Sequence, residues 1–320
     1  MSSDNQINTD VKADKKIADN YLPSTAQRIS LLSNLTFNGI FIFIALVCIL
    51  PLLLVVMASI TDDMTLRLEG YTLFPSNISF TAYEFVFRRG DAIVRAFFNS
   101  IVITLVGTVV GTFIMAMYAY PLSRANFKFR KGFTWYVLIT MLFSGGLVPW
   151  YIMYTQVLGL LDTMAALIIP YTMSAWYVLI LRTFYKGALP EEIIESARID
   201  GANEYKIFFS IALPLSTAGI ATIALFTMLA YWNDWYLPLI YARSDSLDTI
   251  QNYLRRILEN VQFLARMAGQ LGSITVPVKD LPSETIRMAI AVVAVGPIVF
   301  AYPFFQRYFV KGLTIGAIKG

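Results

Sequence analysis

Residues 97–123 read FFNSIVITLVGTVVGTFIMAMYAYPLS, bracketed by Arg95 and Arg124 and interrupted by no charged residue. About 20 mostly apolar residues carry a helix across roughly 30 Å of hydrocarbon. Lipid offers the backbone no water, so a lone segment crosses it as a helix. The stretch therefore predicts a spanning helix.

The pattern repeats on either side. Between Arg28 and Asp62 an uncharged interval is centred on FIFIALVCILPLLLVVMASI (41–60), where Pro51 predicts a kink that a membrane bundle tolerates. Lys131 and Asp162 bracket a third stretch, whose Gly145-Gly146 pair and Pro149 predict a break near its outer end. A fourth runs from Thr163 to Leu181. Lys206 and Asp234 bracket a fifth, which Pro214 makes start near Leu215, and Arg287 and Arg307 bracket a sixth. The expected spans are about 38–60, 96–120, 133–157, 163–183, 215–238 and 287–306. The predicted fold class is an all-α membrane protein, a six-helix transmembrane bundle over 31–320.

Composition agrees. Of 320 residues, 57% are apolar and 14% charged, where a soluble domain carries about 25% charged residues. Too little polar material is present to coat a water-facing surface of this size. The first thirty residues hold no apolar core followed by a cleavage site, so 1–30 reads as a polar cytoplasmic tail, mobile up to about Tyr21, and not as a cleaved signal.

Charge sets the expected orientation. With the N-terminus cytoplasmic, the tails and the segments about 120–132 and 182–215 carry 15 of the 25 Lys and Arg residues. The connection RANFKFRK (124–131) packs four cations into eight residues, the arrangement that marks a cytoplasmic loop. Both termini are then expected in the cytoplasm, with outer loops at about 61–93 and 238–285. In the second outer loop, Ile250, Leu254, Ile257 and Val261 recur at helical spacing and predict an amphipathic helix on or near the outer face. The pI near 9 reflects such basic flanks, which argues for contact with membrane lipid and against a nucleic-acid partner.

Enzyme chemistry finds little to work with. Histidine is absent, and Cys48, the one cysteine, lies inside an apolar run and reads as a small apolar filler. No His-dependent triad and no intrachain disulfide are possible. No G-x-x-x-x-G-K-[ST] loop is present, so the chain is expected to hydrolyse no ATP.

One connection stands apart: 189–214, LPEEIIESARIDGANEYKIFFSIALP. Pro190 suits a first helical position, and Glu191 and Glu192 suit the positive end of a helix dipole. Ile193, Ile194 and Ala197 are expected on one helical face; Gly201 interrupts, and Tyr205, Phe208, Phe209 and Ala212 line a second stripe. Two short amphipathic helices joined at a glycine bend need something to pack against. In general such a loop is an interfacial helix lying on its own bundle.

Here the sequence resembles the permease subunits of type I ABC importers. Their cytoplasmic signature has the form E-A-A, three residues, G, nine residues, I-x-L-P. Glu195-Ser196-Ala197, Gly201, Ile211 and Leu213-Pro214 stand at that spacing, with Ser196 for the first alanine as the single departure. DGANEYKIFFSIALPLS (200–216), WNDWYLPLIY (232–241) and the ending YPFFQRYFVKGLTIGAIKG (302–320) are similar to carbohydrate permeases of the maltose-transporter type, and within it the LplC-like group. The resemblance covers most of the chain from about residue 37. It implies a non-catalytic permease in a bacterial cell membrane whose 189–214 element is a coupling helix seated in a cleft of an ATPase. Glu195 would meet a basic ATPase residue, Gly201 would supply the bend, and Ala197 would lie in the tight contact. It further implies two ATPase subunits carrying ATP and Mg, a second homologous permease, an extracellular sugar-binding protein and a carbohydrate cargo, an oligosaccharide; this chain itself would hold no cofactor and no metal. The outer loop near 244–285 would reach toward the binding protein.

Two further sets are open to two readings. In TMLAYWNDWYLPLIY (227–241), Tyr231, Trp232, Trp235 and Tyr236 surround Asn233 and Asp234, either an interfacial aromatic belt or a sugar path. Asn99, Ser100 and Thr104 either bond neighbouring helices or line a pore. A secondary transporter is the competing class, but five of the six spans hold no central ionisable residue for ion coupling.

Overall fold

The computed structural model describes residues 31–88, 90–271 and 283–317. The tail expected over 1–30 lies outside the described residues. The chain divides into a unit ending at Leu54 and a unit from Val55 onward. The first holds helix α1 (Leu31–Ser59) as far as Leu54; the helix's 29 residues include Pro51 and extend about 43 Å at 1.5 Å per residue.

In the second unit, α2 (Asp63–Glu69) and α3 (Thr81–Val86) precede the central helix α4 (Gly90–Ser123), 34 residues long. The expected third stretch is α5 (Arg130–Leu142) and α6 (Leu147–Ile152) with a π-turn over Met153–Val157. These halves meet at 115° across 143–146, the place of the Gly145-Gly146 pair. The fourth consists of α7 (Met164–Ile168), a 3-10 turn at Ile169–Tyr171 and α8 (Ala175–Ala188), bent by 51°. Then come α9 (Glu191–Ile199), α10 (Glu204–Ile207), α11 (Thr217–Trp232), α12 (Tyr236–Tyr241), α13 (Ile250–Leu271) and α14 (Ser283–Ala317). Among the described residues three helices are long and apolar enough to cross a membrane, or up to six if each bent pair is one span.

The fifth stretch, expected to run to about 238, ends as a helix at Trp232. Asp234 breaks it: its carboxylate accepts the backbone N–H of Tyr236 at 3.0 Å and of Leu237 at 3.3 Å, and so starts α12. An acid at a helix N-terminus satisfies amides that have no intrahelical acceptor.

The bundle closes around α4, which packs on α8 and α11, while α11 also packs on α14. Small residues permit the approach. A Cβ on Gly107 would stand 2.4 Å from the Tyr231 ring, and one on Gly219 would stand 2.5 Å from Phe184. Helices in lipid gain no hydrophobic drive from meeting, so close backbone contact and dispersion carry their association.

The two ends of α4 hold different layers. Toward its N-terminus, Ile93 and Ala96 join Val86, Trp232, Ile286 and Ala289 in a buried cluster completed by Ile250, Leu254 and Val261 of α13. Ile257 packs against the same cluster half-buried, so the apolar stripe read from 250–261 faces the bundle. At the C-terminal end, Met115, Ala119 and Leu122 pack with Tyr185, Leu189, Ile194, Ala197, Ile207 and Phe208. The 189–214 segment is thus anchored at the end of α4 opposite to α13.

Candidate functional site

The 189–214 segment is two helices at a corner. Helix α9 starts at Glu191, one position later than expected, with Pro190 as the residue before it. It ends in a Schellman-type cap: the Gly201 N–H donates to Arg198 O at 3.0 Å and the Ala202 N–H to Ala197 O at 2.9 Å. This cap needs a left-handed residue after the helix, and Gly201 has φ +79°. Asn203 then caps α10, its side chain accepting the Lys206 N–H at 2.9 Å. Glu204 closes the corner. It takes Arg198 Nε at 3.1 Å and Nη2 at 2.8 Å on one oxygen, and the Tyr120 hydroxyl at 3.3 Å on the other. After α10 the chain passes through a π-turn at Phe208–Ala212 and Leu213–Leu215, then bends by 78° into α11.

The corner has a bundle side and a free side, and two expectations change here. Ile194 and Ala197 are buried while Ile193 is exposed, so the three do not share one face. At about 100° per residue Ala197 lies between Ile193 and Ile194, and the buried face falls on the Ile194 side. Phe208 and Ala212 are buried, but Tyr205 is 75% exposed and Phe209 is exposed as well. Ala197, which the resemblance put in the ATPase contact, is packed into the chain's own core. Glu195, Ser196, Gly201 and Pro214 are exposed, whereas Ile211 and Leu213 are half-buried against the core. Ile199, 86% exposed, lies one turn after Glu195 on the same face, and Ile193 and Tyr205 are exposed elsewhere on the corner. A cleft of about 600 Å³ opens between the corner and α4, with Phe113, Met117, Phe209 and Tyr205 on its walls and the Arg198–Glu204 pair within it.

The path candidates separate. Asn99 is buried, and its amide donates to Ser246 O at 2.7 Å and Asp248 O at 2.9 Å. Ser100 accepts the Ile250 N–H at 2.8 Å. Both hold the chain leading into α13, as the inter-element reading of these residues expects. Thr104 is buried too, and its hydroxyl has no partner among the described residues. Trp232, also carried as a path residue, is buried, with its indole N–H given to Ala294 O at 3.0 Å. Asn233 is exposed and donates to Leu229 O at 3.0 Å. Asp234 accepts the Tyr171 hydroxyl at 3.3 Å besides its capping bonds. Trp235 is 44% exposed and carries the Arg255 guanidinium 5.5 Å from its ring centroid. The exposed side chains at this break are therefore Asn233, Trp235 and Tyr236, with Asp234 half-buried.

Sequence reasoning passed over Arg124 and Asp162. Arg124 counted only as a basic flank, yet it is buried against the ends of two helices. Asp162, read as a span boundary, accepts the N–H of Arg243 at 2.9 Å and of Ser244 at 3.0 Å, and donates its own N–H to Tyr241 O at 2.9 Å. Its φ of +58° is the conformation that Asp and Asn tolerate best among residues with a side chain, the one cue its identity offers.

Comparison with known proteins follows this geometry. Residues 107–315 match the family model described as binding-protein-dependent transport system inner membrane component. The polygalacturonan/rhamnogalacturonan transport system permease protein YtcP of Bacillus subtilis is 37% identical over 282 residues, covering 88% of this chain and 96% of that protein. Protein LplC of the same organism is 37% identical over 274 residues, covering 86% and 90%. A crystal structure of a bacterial ABC transporter involved in the import of the acidic polysaccharide alginate aligns with a TM-score of 0.70 at 26% identity, covering 89% of this chain and 98% of that one. With the family match spanning more than half its length, the chain belongs to the binding-protein-dependent transport system inner membrane components, as a non-catalytic permease subunit of an ABC importer.

Proposed function

We infer that this permease pairs with a second, homologous permease to form the path for a carbohydrate, an oligosaccharide delivered by an extracellular binding protein. Two ATP-binding-cassette ATPases drive it. ATP and Mg reside on those subunits, and this chain binds no cofactor. The sugar class is supported by the relatives, whose names include a polygalacturonan/rhamnogalacturonan system and arabinooligosaccharide systems. Cytoplasmic termini are supported by the basic 124–131 connection.

One observation carries the coupling role. The 189–214 corner turns Ile194 and Ala197 into its own core and leaves Glu195, Ile193, Ile199 and Tyr205 outward. Exposed apolar side chains on one corner, with Ile199 a turn from an acid, suit a protein partner better than water. The ATPase subunit is that partner, and Glu195 meets a basic group on it.

The test is purification of the tagged full chain in mild detergent, with identification of what co-elutes. A P-loop ATPase and a second six-span permease should accompany the wild type. Glu195→Ala should weaken the ATPase association while leaving the permease pair intact. A chain that purifies without ATPase and moves solute when reconstituted alone would overturn the reading.

A further inference from the structure

Arg124 stands where three elements meet. It follows α4 directly and is 5% exposed. Its Nε donates to Ser123 Oγ at 2.9 Å, Nη1 to Leu189 O at 3.3 Å and Nη2 to Tyr185 O at 3.2 Å. Those carbonyls belong to the last turn and C-cap of α8. Nη1 also lies 3.5 Å from Glu191 Oε2, on the first residue of α9. Arg182 of α8 returns the contact, its Nε donating to Leu122 O in the last turn of α4 at 3.1 Å.

Two spans thus cap each other with crossed arginines, and one of those arginines also holds the start of α9. The last carbonyls of a helix lack intrahelical donors, and a cation there complements the helix dipole. The planar fork of a guanidinium reaches two carbonyls and a carboxylate at once, which an ammonium on its single point charge does less well.

The covalent route from α8 to α9 is only Leu189 and Pro190, both outside helical geometry. No short covalent route joins α4 to α9. We propose that Arg124 is a positioning residue that locks α4, α8 and α9 into one body. Motion imposed on α9 then reaches the spans and is not absorbed at Leu189-Pro190. The inference rests on the reading of 189–214 as the ATPase-docking element.

Pulsed electron-spin distance measurement on the assembled importer in lipid nanodiscs tests it. Cys48 is replaced by Ser, and spin labels are placed at Ala125→Cys and Asp200→Cys. Nucleotide-free complexes are compared with complexes trapped by Mg-ATP and vanadate. With Arg124 present, the distance should be narrow and the same in both states. Arg124→Gln should roughly double the width of the distribution and make its mean depend on nucleotide. Arg124→Lys should fall between the two. Glu191→Gln keeps both carbonyl caps, so it covers the case in which Arg124→Gln does not fold, and it should broaden the same distribution. A simple loss of stability would lower the yield without making the distance nucleotide-dependent. If the wild-type distance itself shifts with nucleotide, or if both variants match the wild type, the lock is overturned. Failure of the docking reading shows separately, as a permease pair that recovers no ATPase.

Discussion

The backbone N–H of Ala202 donates to the carbonyl of Ala197 at 2.9 Å, bridging Gly201 in its left-handed conformation. The signature glycine is therefore a helix-capping residue, and its neighbour in the motif, Ala197, is the acceptor it delivers. A side chain on Gly201 would meet nothing within 4 Å, so crowding inside the chain is not the reason for glycine. Backbone conformation is: the left-handed region costs an L-residue about 1–2 kcal/mol.

This separates three substitutions. Gly201→Asn should keep the corner, because Asn tolerates the left-handed region. Gly201→Ala should lose about 1 kcal/mol and loosen it. Gly201→Asp tolerates the same backbone but adds charge to the exposed surface of the docking corner, so it should insert normally and abolish uptake. Membrane-fraction yield and ATP-driven uptake, measured together, check the order.

The corner was legible where local rules decide. Glu191 and Glu192 at a helix start and the Gly201 bend depend on neighbours in sequence. The orientation of Phe209 was not legible, since the π-turn at Phe208–Ala212 shifts the face by an amount that composition does not record, and the exposure of Ile193 depends on which side of α9 meets the bundle. Arg124 was hidden for a different reason. Its acceptors Tyr185 O and Leu189 O are backbone atoms, which leave no residue-type signal. Trp232 and Trp235 look alike as letters three positions apart, but Asp234 ends one helix between them and starts another, sending one ring inward and one outward.

That divergence predicts opposite phenotypes. Trp232→Ala should destabilise the permease by about 3–5 kcal/mol, the usual cost of emptying a buried aromatic site, and lower its thermal midpoint in detergent. Trp235→Ala removes an exposed ring that holds Arg255 and should leave the midpoint near the wild type. If the break lines the sugar path, Trp235→Ala should reduce uptake at unchanged expression. Equal loss of stability in both variants would contradict the assignment of Trp235 to an open surface.

Packing of α4 on α11 gives a sharper contrast. The Tyr231 ring that a Cβ on Gly107 would strike cannot easily retreat, because its hydroxyl donates to Ile168 O at 2.6 Å and the residue is 3% exposed. Gly107→Ala should cost about 1–3 kcal/mol through overpacking. Gly132→Ala, with nothing within 4 Å of the new Cβ and a better helix former in place, should cost nothing measurable. Thermal unfolding of the two variants in one detergent gives the comparison.

Asp162 ties the turn before α7 to the chain after α12. The backbone N–H groups of Ser244 and Arg243 hold its carboxyl below the usual carboxylate range, against a small opposing effect of desolvation. A depressed folded-state value means that the tie stabilises the fold above the unfolded pKa, about 3.9, and is lost only as pH falls through the lower folded value. Lowering pH from 7 to 5 should therefore leave the 159–163 turn as resistant to protease as before. Asp162→Asn keeps one acceptor oxygen and tolerates the φ of +58°, so it should loosen the turn slightly. Asp162→Ala loses the acceptors and pays the conformational strain, and should expose the turn to cleavage at neutral pH. Cleavage of wild type and Asp162→Ala at equal rates would show that the Tyr241 carbonyl bond, which the substitution leaves in place, is enough to hold the turn.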